Sequence, residues 1–517
     1  MEAMTGGATT GDRRSLGAMT GGATAAPTGH GSAGVRTLAN YVAGAWTAPV
    51  ASETLETRNP ASGDLLAHVP LSGTADVDAA VRAARTAFPA WRATSPLERA
   101  RAVFALRDLL DAHRDELARL VTTDMGKTLA DAAGEVGRGI ESAEAACAAP
   151  HMLKGDTLEG VATGLDVEMV RQPVGVIAAI TPFNFPAMIP LWFLPYALAC
   201  GNTFVLKPSE SDPLTSERIF ELIDTAGIFP AGVVNLVHGG RDAVGALLDH
   251  PEVDGISFVG SASTARLVYR RAAEAGKRVQ ALGGAKNAMV LMPDADPELT
   301  VRGVLGSAFG AAGQRCLAGS VAVLVGSGQE QDRMRDLLLD GARRLRVGDG
   351  ADPATDVCPL VTPAARERVA GEIARAQADG GEIVLDGRGD AGPGGALLGP
   401  TIVDRAEPDS RVVTEELFGP VLALLRVPDL ATALERVNAS RYGNASSIFT
   451  ASGGAARAYR YGVEAGMVGV NVGVAAPVAW FPFSGWKESL NGDLPSNGAD
   501  AFEFYTRKKV VTSRWPQ

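Results

Sequence analysis

Short β-branched or apolar runs recur through the middle of the chain at 174–180, 203–207, 233–237, 255–259 and 287–291, with helix-length amphipathic stretches between them. A spacing of about 25–30 residues leaves room for one helix between successive strands, and strands joined that way run parallel. The alternation therefore predicts an α/β fold built on a doubly wound parallel sheet with helices on both faces. A second alternating block over 301–479 predicts a second α/β domain, in keeping with a chain of 517 residues that is too long for one ordinary core. Patterns with apolar residues at roughly 3.6 spacing over 76–90, 96–122 and 127–149 predict covering helices. Residues 502–511 alternate like an exposed edge strand, and such a strand calls for a partner, so the pattern predicts oligomerisation.

Composition removes several classes of function. A net charge of −11 with no Lys/Arg run speaks against a nucleic-acid surface, which needs a basic face. Cys147, Cys200, Cys316 and Cys358 are scattered without CxxC spacing, which fits a reducing cytoplasm and neither a disulfide framework nor a zinc site. The six histidines form no HExxH pair, so no metal is expected. The apolar stretch 174–206 carries Pro182, Pro186, Pro190, Pro195 and Asn184, which lipid would leave with unpaired backbone groups, so a buried soluble element is expected. The first 35 residues repeat Ala3-Met4-Thr5-Gly6-Gly7-Ala8-Thr9 as Ala18 to Thr24 and have no apolar segment of signal-peptide length; a disordered tail is expected. Gly29 to Gly34 spells GxGxxG within that tail, with no strand before it, and Met125-Gly126-Lys127-Thr128 imitates the end of a P-loop but lacks its first glycine, since Val121 stands there.

One segment points to thiolate chemistry. Gly310-Ala311-Ala312-Gly313-Gln314-Arg315-Cys316 places a cysteine behind tiny residues, which let backbone and ligand come close to the sulfur. On residue types alone Cys316 is either a small buried hydrophobe or a nucleophile, and a nucleophile must be a thiolate, whose charge Arg315 could help hold. Asn184, in Thr181-Pro182-Phe183-Asn184-Phe185-Pro186, is either a turn residue or a fixed amide donor. Lys207 and Glu210 follow an expected strand end, where open α/β sheets bind ligands, and Gly260-Ser261 opens an expected helix whose positive end suits a pyrophosphate.

Together with Leu282-Gly283-Gly284-Ala285-Lys286-Asn287 and Glu415-Glu416-Leu417-Phe418-Gly419-Pro420, these segments resemble the aldehyde dehydrogenase superfamily from about Leu38 to the C-terminus. Within it the chain looks most like the CoA-acylating methylmalonate-semialdehyde branch, with Phe481-Pro482-Phe483-Ser484-Gly485-Trp486-Lys487 similar in detail. The resemblance implies a Rossmann-type NAD domain over 36–165 and 187–285, a catalytic domain over 286–488 and a β oligomerisation arm over 166–186 and 489–517. It implies that Cys316 attacks the aldehyde and Asn184 donates to the oxyanion. Lys207 and Glu210 would hold the adenosine ribose and favour NAD over NADP, Gly260 and Ser261 the pyrophosphate, and Phe183, Glu416 and Phe418 the nicotinamide end. Most members carry a general-base glutamate where this chain has Ala281, so the thioester would await coenzyme A as co-substrate rather than water. Arg138 and Arg315 would grip a substrate carboxylate, although Arg138 also reads as a solvent-exposed helix arginine. The implied activity is NAD-dependent conversion of malonate or methylmalonate semialdehyde to acetyl-CoA or propionyl-CoA with loss of CO2, in a cytoplasmic homodimer or homotetramer free of nucleic acid and membrane. Alternatives are a CoA-acylating or hydrolytic dehydrogenase for another small aldehyde, and a non-catalytic NAD-binding structural oligomer.

Overall fold

The computed structural model describes residues 35–50 and 52–515. The repeated tail and its GxGxxG string at 29–34 lie outside the described residues.

The predicted parallel strands fall into two sheets. The first runs, edge to edge, Ala45–Thr47, Asn40–Val42, Val234–Leu236, Thr203–Lys207, Val176–Ile180, Gly255–Val259, Arg278–Leu282 and Leu490–Asn491. Its five central strands are parallel and its outer ones antiparallel. Strands Val176–Ile180, Thr203–Lys207 and Gly255–Val259 are buried along their whole length, which is why they read as continuous apolar runs rather than alternating ones. The chain moves outward from Val176–Ile180 on one side and returns on the other with Gly255–Val259, so strand order reverses between these two. Open α/β sheets carry their crevice at the carboxyl ends of such a pair, here Thr181 to Asn184 and Gly260-Ser261.

The second sheet, Glu382–Leu385, Thr401–Asp404, Val421–Val427, Gly319–Val325, Asn287–Leu291, Ala445–Phe449 and Met467–Val470, is parallel apart from its first edge strand. A third, antiparallel sheet joins Asp156–Ala162, Leu165–Pro173 and Thr506–Arg514. Leu158, Val161 and Val510 on it are exposed apolar side chains.

Three expectations need correction. The helix expected over 96–122 is two helices, Pro96–Ala112 and Arg114–Met125, with His113 outside helical geometry and its Nδ1 2.8 Å from Glu116 Oε2. Leu106, Leu110, Leu117 and Val121 are all fully buried, so the break keeps the phase of the apolar face and periodicity cannot register it. The segment 166–186 is not wholly arm: Val176–Ile180 is central to the first sheet, the arm begins at Asp156, and Leu490–Asn491 also joins the first sheet. Residues 502–511 do not form one strand. Gly498–Phe504 is helical and the strand starts at Thr506, because Phe502 packs edge-on to Tyr196 with ring centroids 5.2 Å apart and Tyr505 Oη sits 2.9 Å from Ser257 Oγ. Tertiary packing of three buried aromatics outweighs local strand propensity here.

The 174–206 stretch becomes a strand, a proline-rich loop, the buried helix Met188–Ala199 and most of the strand Thr203–Lys207. Among the described residues no helix is long and apolar enough to cross a membrane.

Candidate active site

Four segments meet around a cavity of about 320 Å3. Helix Leu129–Ala146 contributes Asp131, Glu135 and Arg138 at helical spacing on one face, and helix Met188–Ala199 contributes Met188 and Trp192. The turn Gly310–Gly313 delivers Arg315 and Cys316, and the loop around Pro477 and Ala479 closes the far side. The small residues before the cysteine have a structural purpose. Ala311 and Ala312 adopt left-handed backbone angles, and a Cβ on Gly313 would stand 2.3 Å from the Gly419 carbonyl oxygen.

Cys316 is partly exposed to this cavity, and its carbonyl accepts from Asn287 Nδ2 and Asn444 Nδ2, both at 2.8 Å. Asn287 closes the glycine-containing segment Leu282 to Asn287, whereas Asn444 reaches the loop from 128 residues away with no local signal to mark it. Burial pushes the Cys316 thiol up to about 12 and Glu416 adds to the effect, while nearby backbone N–H groups and Lys127 oppose it. The resting sulfur is therefore protonated at neutral pH. Arg315 Nη2 lies 2.5 Å from Asp131 Oδ1, and Lys127 is a cation that favours the thiolate.

Asn184 is buried, and its Nδ2 donates to the Gln314 carbonyl at 3.0 Å, two residues before the cysteine. One bond uses one of its two amide hydrogens, so the other stays available to a ligand oxygen. Asn184 does not line the cavity itself, but its carbonyl accepts from Lys127 Nζ at 2.7 Å. Lys127 is the residue that sequence reasoning passed over as a failed P-loop lysine. It is buried, pairs with Glu135 Oε2 at 2.6 Å and lies 3.9 Å from the centre of the Phe185 ring. Glu135 Oε1 accepts from Ala187 N at 2.9 Å and Met188 N at 3.1 Å, satisfying donors at the positive start of helix Met188–Ala199. Lysine and glutamate eight residues apart, around a helix start, were the only trace of this pair in the sequence.

Arg138 and Arg315 are brought together on the same cavity as Cys316. Arg138 is not a free surface side chain: Nη1 lies 2.7 Å from Glu141 Oε2, and Nη2 donates to the Pro477 carbonyl. Each cation lining the cavity thus already faces one protein carboxylate.

The remaining candidates stand along the carboxyl edge of the first sheet. Lys207, at the end of its strand, donates to Glu210 Oε2 at 2.6 Å, and Glu210 is 39 % exposed at its side chain. His238 follows the neighbouring strand; it is buried with both ring nitrogens unpaired, and burial and Lys207 push its pKa down to about 3. Gly260 N donates to the Leu282 carbonyl at 3.1 Å, and Ser261 caps helix Ala262–Glu274. Phe183 and Phe418 meet edge to face at 5.7 Å. Glu416 Oε1 accepts from Ala285 N at 3.1 Å, and its pKa is raised by burial to about 7. Ala281 is fully buried in the apolar layer that includes Phe258, Ala265 and Val268, and it does not line the cavity. Cys147, Cys200 and Cys358 are buried, and among the described residues no cluster of metal-ligating side chains occurs.

Comparison with known proteins gives a consistent picture. Residues 46–511 match the Aldehyde dehydrogenase family. The chain is 49 % identical over 480 residues to malonate-semialdehyde dehydrogenase 1 of Geobacillus kaustophilus (strain HTA426), covering 92 % of this chain and 98 % of that protein. Methylmalonate-semialdehyde dehydrogenase from Oceanimonas doudoroffii superimposes with a TM-score of 0.91 at 44 % identity, covering 93 % of this chain and 99 % of that one. A Sinorhizobium meliloti 1021 chain solved in complex with NAD superimposes with a TM-score of 0.91 at 41 % identity, covering 94 % and 99 %.

Proposed function

The chain belongs to the aldehyde dehydrogenase family, and on that footing we propose that it is an NAD-dependent, CoA-acylating dehydrogenase of malonate or methylmalonate semialdehyde. The observation that carries this reading is that Cys316, Arg138 and Arg315 line one small cavity. A nucleophile and two guanidinium groups so placed suit an aldehyde that also bears a carboxylate. Relatives with the names of this activity, and one solved with NAD, support it.

The carboxyl edge of the first sheet fits a dinucleotide. His238 has polar atoms with no protein partner, and the partly exposed Glu210 keeps one oxygen clear of Lys207. Lys207, Glu210, Gly260, Ser261 and Glu416 would hold the cofactor, with Phe183 and Phe418 beside its nicotinamide end. Bound NAD supplies a hydride acceptor.

Cys316 Sγ forms a bond to the aldehyde carbon, and Asn184 Nδ2 with the Cys316 backbone N–H carry the resulting oxyanion; one such donor contributes roughly 3–4 kcal/mol to a transition state. The thiol must first lose its proton, and Lys127, a cation that favours the thiolate, lowers the cost of that loss. Loss of hydride from the same carbon leaves a thioester on Cys316. CoA sulfur then displaces Cys316, its proton passing to the departing cysteine sulfur; the β-carboxylate leaves as CO2, which adds water to give bicarbonate, and the enolate left on the thioester takes a proton at carbon.

Water is a poor second nucleophile here. Asp131, Glu135 and Glu141 line the cavity, but each is held by a cation. A hydrolytic reading would rest on Glu416, whose pKa burial raises to about 7. Omitting CoA separates the two: the expected trace is a burst of about one NADH per active subunit followed by a near stall, with turnover restored by CoA. Steady NADH production without CoA, with free acid as product, would move the protein to the hydrolytic members of its family.

Arg138→Leu is expected to lower kcat/KM for malonate semialdehyde about 10- to 100-fold more than for propanal, since a charge-assisted contact is worth ~1.5–3 kcal/mol. Arg315→Leu should act in the same direction but also strands Asp131. An equal loss on both aldehydes would sink the carboxylate-binding assignment.

A further inference from the structure

We propose that Asp131 is a positioning residue with two opposed effects: it fixes the loop that carries Cys316, and its charge weakens the hold of Arg315 on the substrate carboxylate. The second effect rests on the reading of the cavity as a site for small carboxylated aldehydes.

Asp131 stands in the first turn of helix Leu129–Ala146, where its backbone N donates to the hydroxyl of the capping Thr128 at 3.2 Å. Its two carboxylate oxygens serve different partners. Oδ2 accepts from Ala311 N at 3.0 Å, and Oδ1 lies 2.5 Å from Arg315 Nη2. One side chain from another element thus ties together both ends of the turn that precedes the nucleophile. The turn needs such a tie, because Ala311 and Ala312 hold left-handed backbone angles, φ 49° and 53°, which a residue with a Cβ adopts at a cost. Ala311 is fully buried, so its N–H has no water to turn to if the carboxylate is removed. The Ala311 carbonyl is clasped as well, by Gln314 N at 3.0 Å, but that bond lies within the loop and cannot anchor it to the rest of the cavity wall.

Arg315 does not depend on the ion pair for its place. Its Nη1 donates to the Gly306 carbonyl at 3.3 Å, and the guanidinium lies so close over Gly310 that a Cβ there would stand 2.6 Å from both terminal nitrogens. To Arg315, therefore, the Asp131 carboxylate supplies charge more than position. The side chains of Asp131 and Arg315 are 25 % and 17 % exposed, and both line the cavity with Cys316. A substrate carboxylate drawn to Arg315 meets a like charge already beside it, and like charges a few ångströms apart repel. Removing the charge of Asp131 should tighten the binding of a carboxylated aldehyde and leave that of an uncharged one unchanged.

The test follows the first turnover of NADH formation, started without CoA, against the concentration of malonate semialdehyde or propanal. Asp131→Asn has one acceptor oxygen, which should turn to the buried Ala311 N–H, since Arg315 can reach solvent instead. This variant should lower the half-saturating concentration of malonate semialdehyde about three- to tenfold and leave that of propanal near the wild-type value. Asp131→Ala also loses the tie to Ala311, so it should slow the first turnover of both aldehydes by about tenfold or more, and Asp131→Asn should keep the larger share of the rate. A half-saturating concentration of malonate semialdehyde that is unchanged or raised in Asp131→Asn would overturn the proposal, even where Asp131→Ala does not fold. So would an Asp131→Ala enzyme as fast as the wild type. Arg138→Leu that affects both aldehydes alike would instead overturn the carboxylated-aldehyde reading, and with it the claim on Arg315, whatever the Asp131 variants do.

Discussion

Cys316→Ala is expected to reduce NADH formation at least about a thousandfold while leaving NAD affinity close to that of the wild type. Cys316 supplies the sulfur on the cavity that is assigned to bond the aldehyde carbon, and the residues assigned to the cofactor, Lys207, Glu210 and Glu416, lie on other segments. The loop should survive the change, because Asn287 and Asn444 grip the Cys316 carbonyl, which alanine keeps. Absorbance at 340 nm gives the rate, and quenching of protein fluorescence by NAD gives the affinity. Turnover above a thousandth of wild type would remove Cys316 as the nucleophile. The raised thiol pKa adds a second signature: reaction of the resting enzyme with iodoacetamide should be slow at neutral pH and should accelerate as pH rises towards 12.

Lys127→Met should be the most damaging single change outside the reacting atoms. Lys127 and Glu135 form an almost wholly buried ion pair, and removing one partner leaves the other charge uncompensated, at a typical cost of about 3–5 kcal/mol. The same substitution withdraws the cation that favours the Cys316 thiolate and frees the Asn184 carbonyl, so activity should fall along with stability. The double variant Lys127→Met/Glu135→Gln should recover most of the stability, since glutamine Oε1 can still accept from Ala187 N and Met188 N with no charge left buried. It should not recover the activity. Midpoints of urea unfolding for the two single variants and the double variant supply the cycle. A double variant no more stable than Lys127→Met would show that packing of the lysine stem, rather than charge, carries the effect.

Strands of both sheets were legible because a parallel strand buried on both faces must be apolar throughout, and that is a local property. Three of the five predicted runs, 203–207, 255–259 and 287–291, coincide with observed strands, and the other two, 174–180 and 233–237, are trimmed at their ends. The cysteine loop was legible for a similar reason, since a chain that packs its backbone against Gly419 needs glycine at 313, and glycine is visible in a sequence. The resemblance supplied candidate residues for a site, but not their surroundings.

What surrounds those residues was decided by folding alone. Asn184 meets Gln314 across 130 residues and Arg315 meets Asp131 across 184, distances over which no periodicity carries information. These encounters pair Arg315 with a carboxylate on the cavity rim and leave Lys127 as a cation that assists the sulfur. Hydrophobic patterning determines which faces turn inward, because burial of apolar area acts on each segment separately. Which charge neutralises which, and how far a pKa moves, depends on separations of a few ångströms between segments, and only the packed tertiary structure sets those.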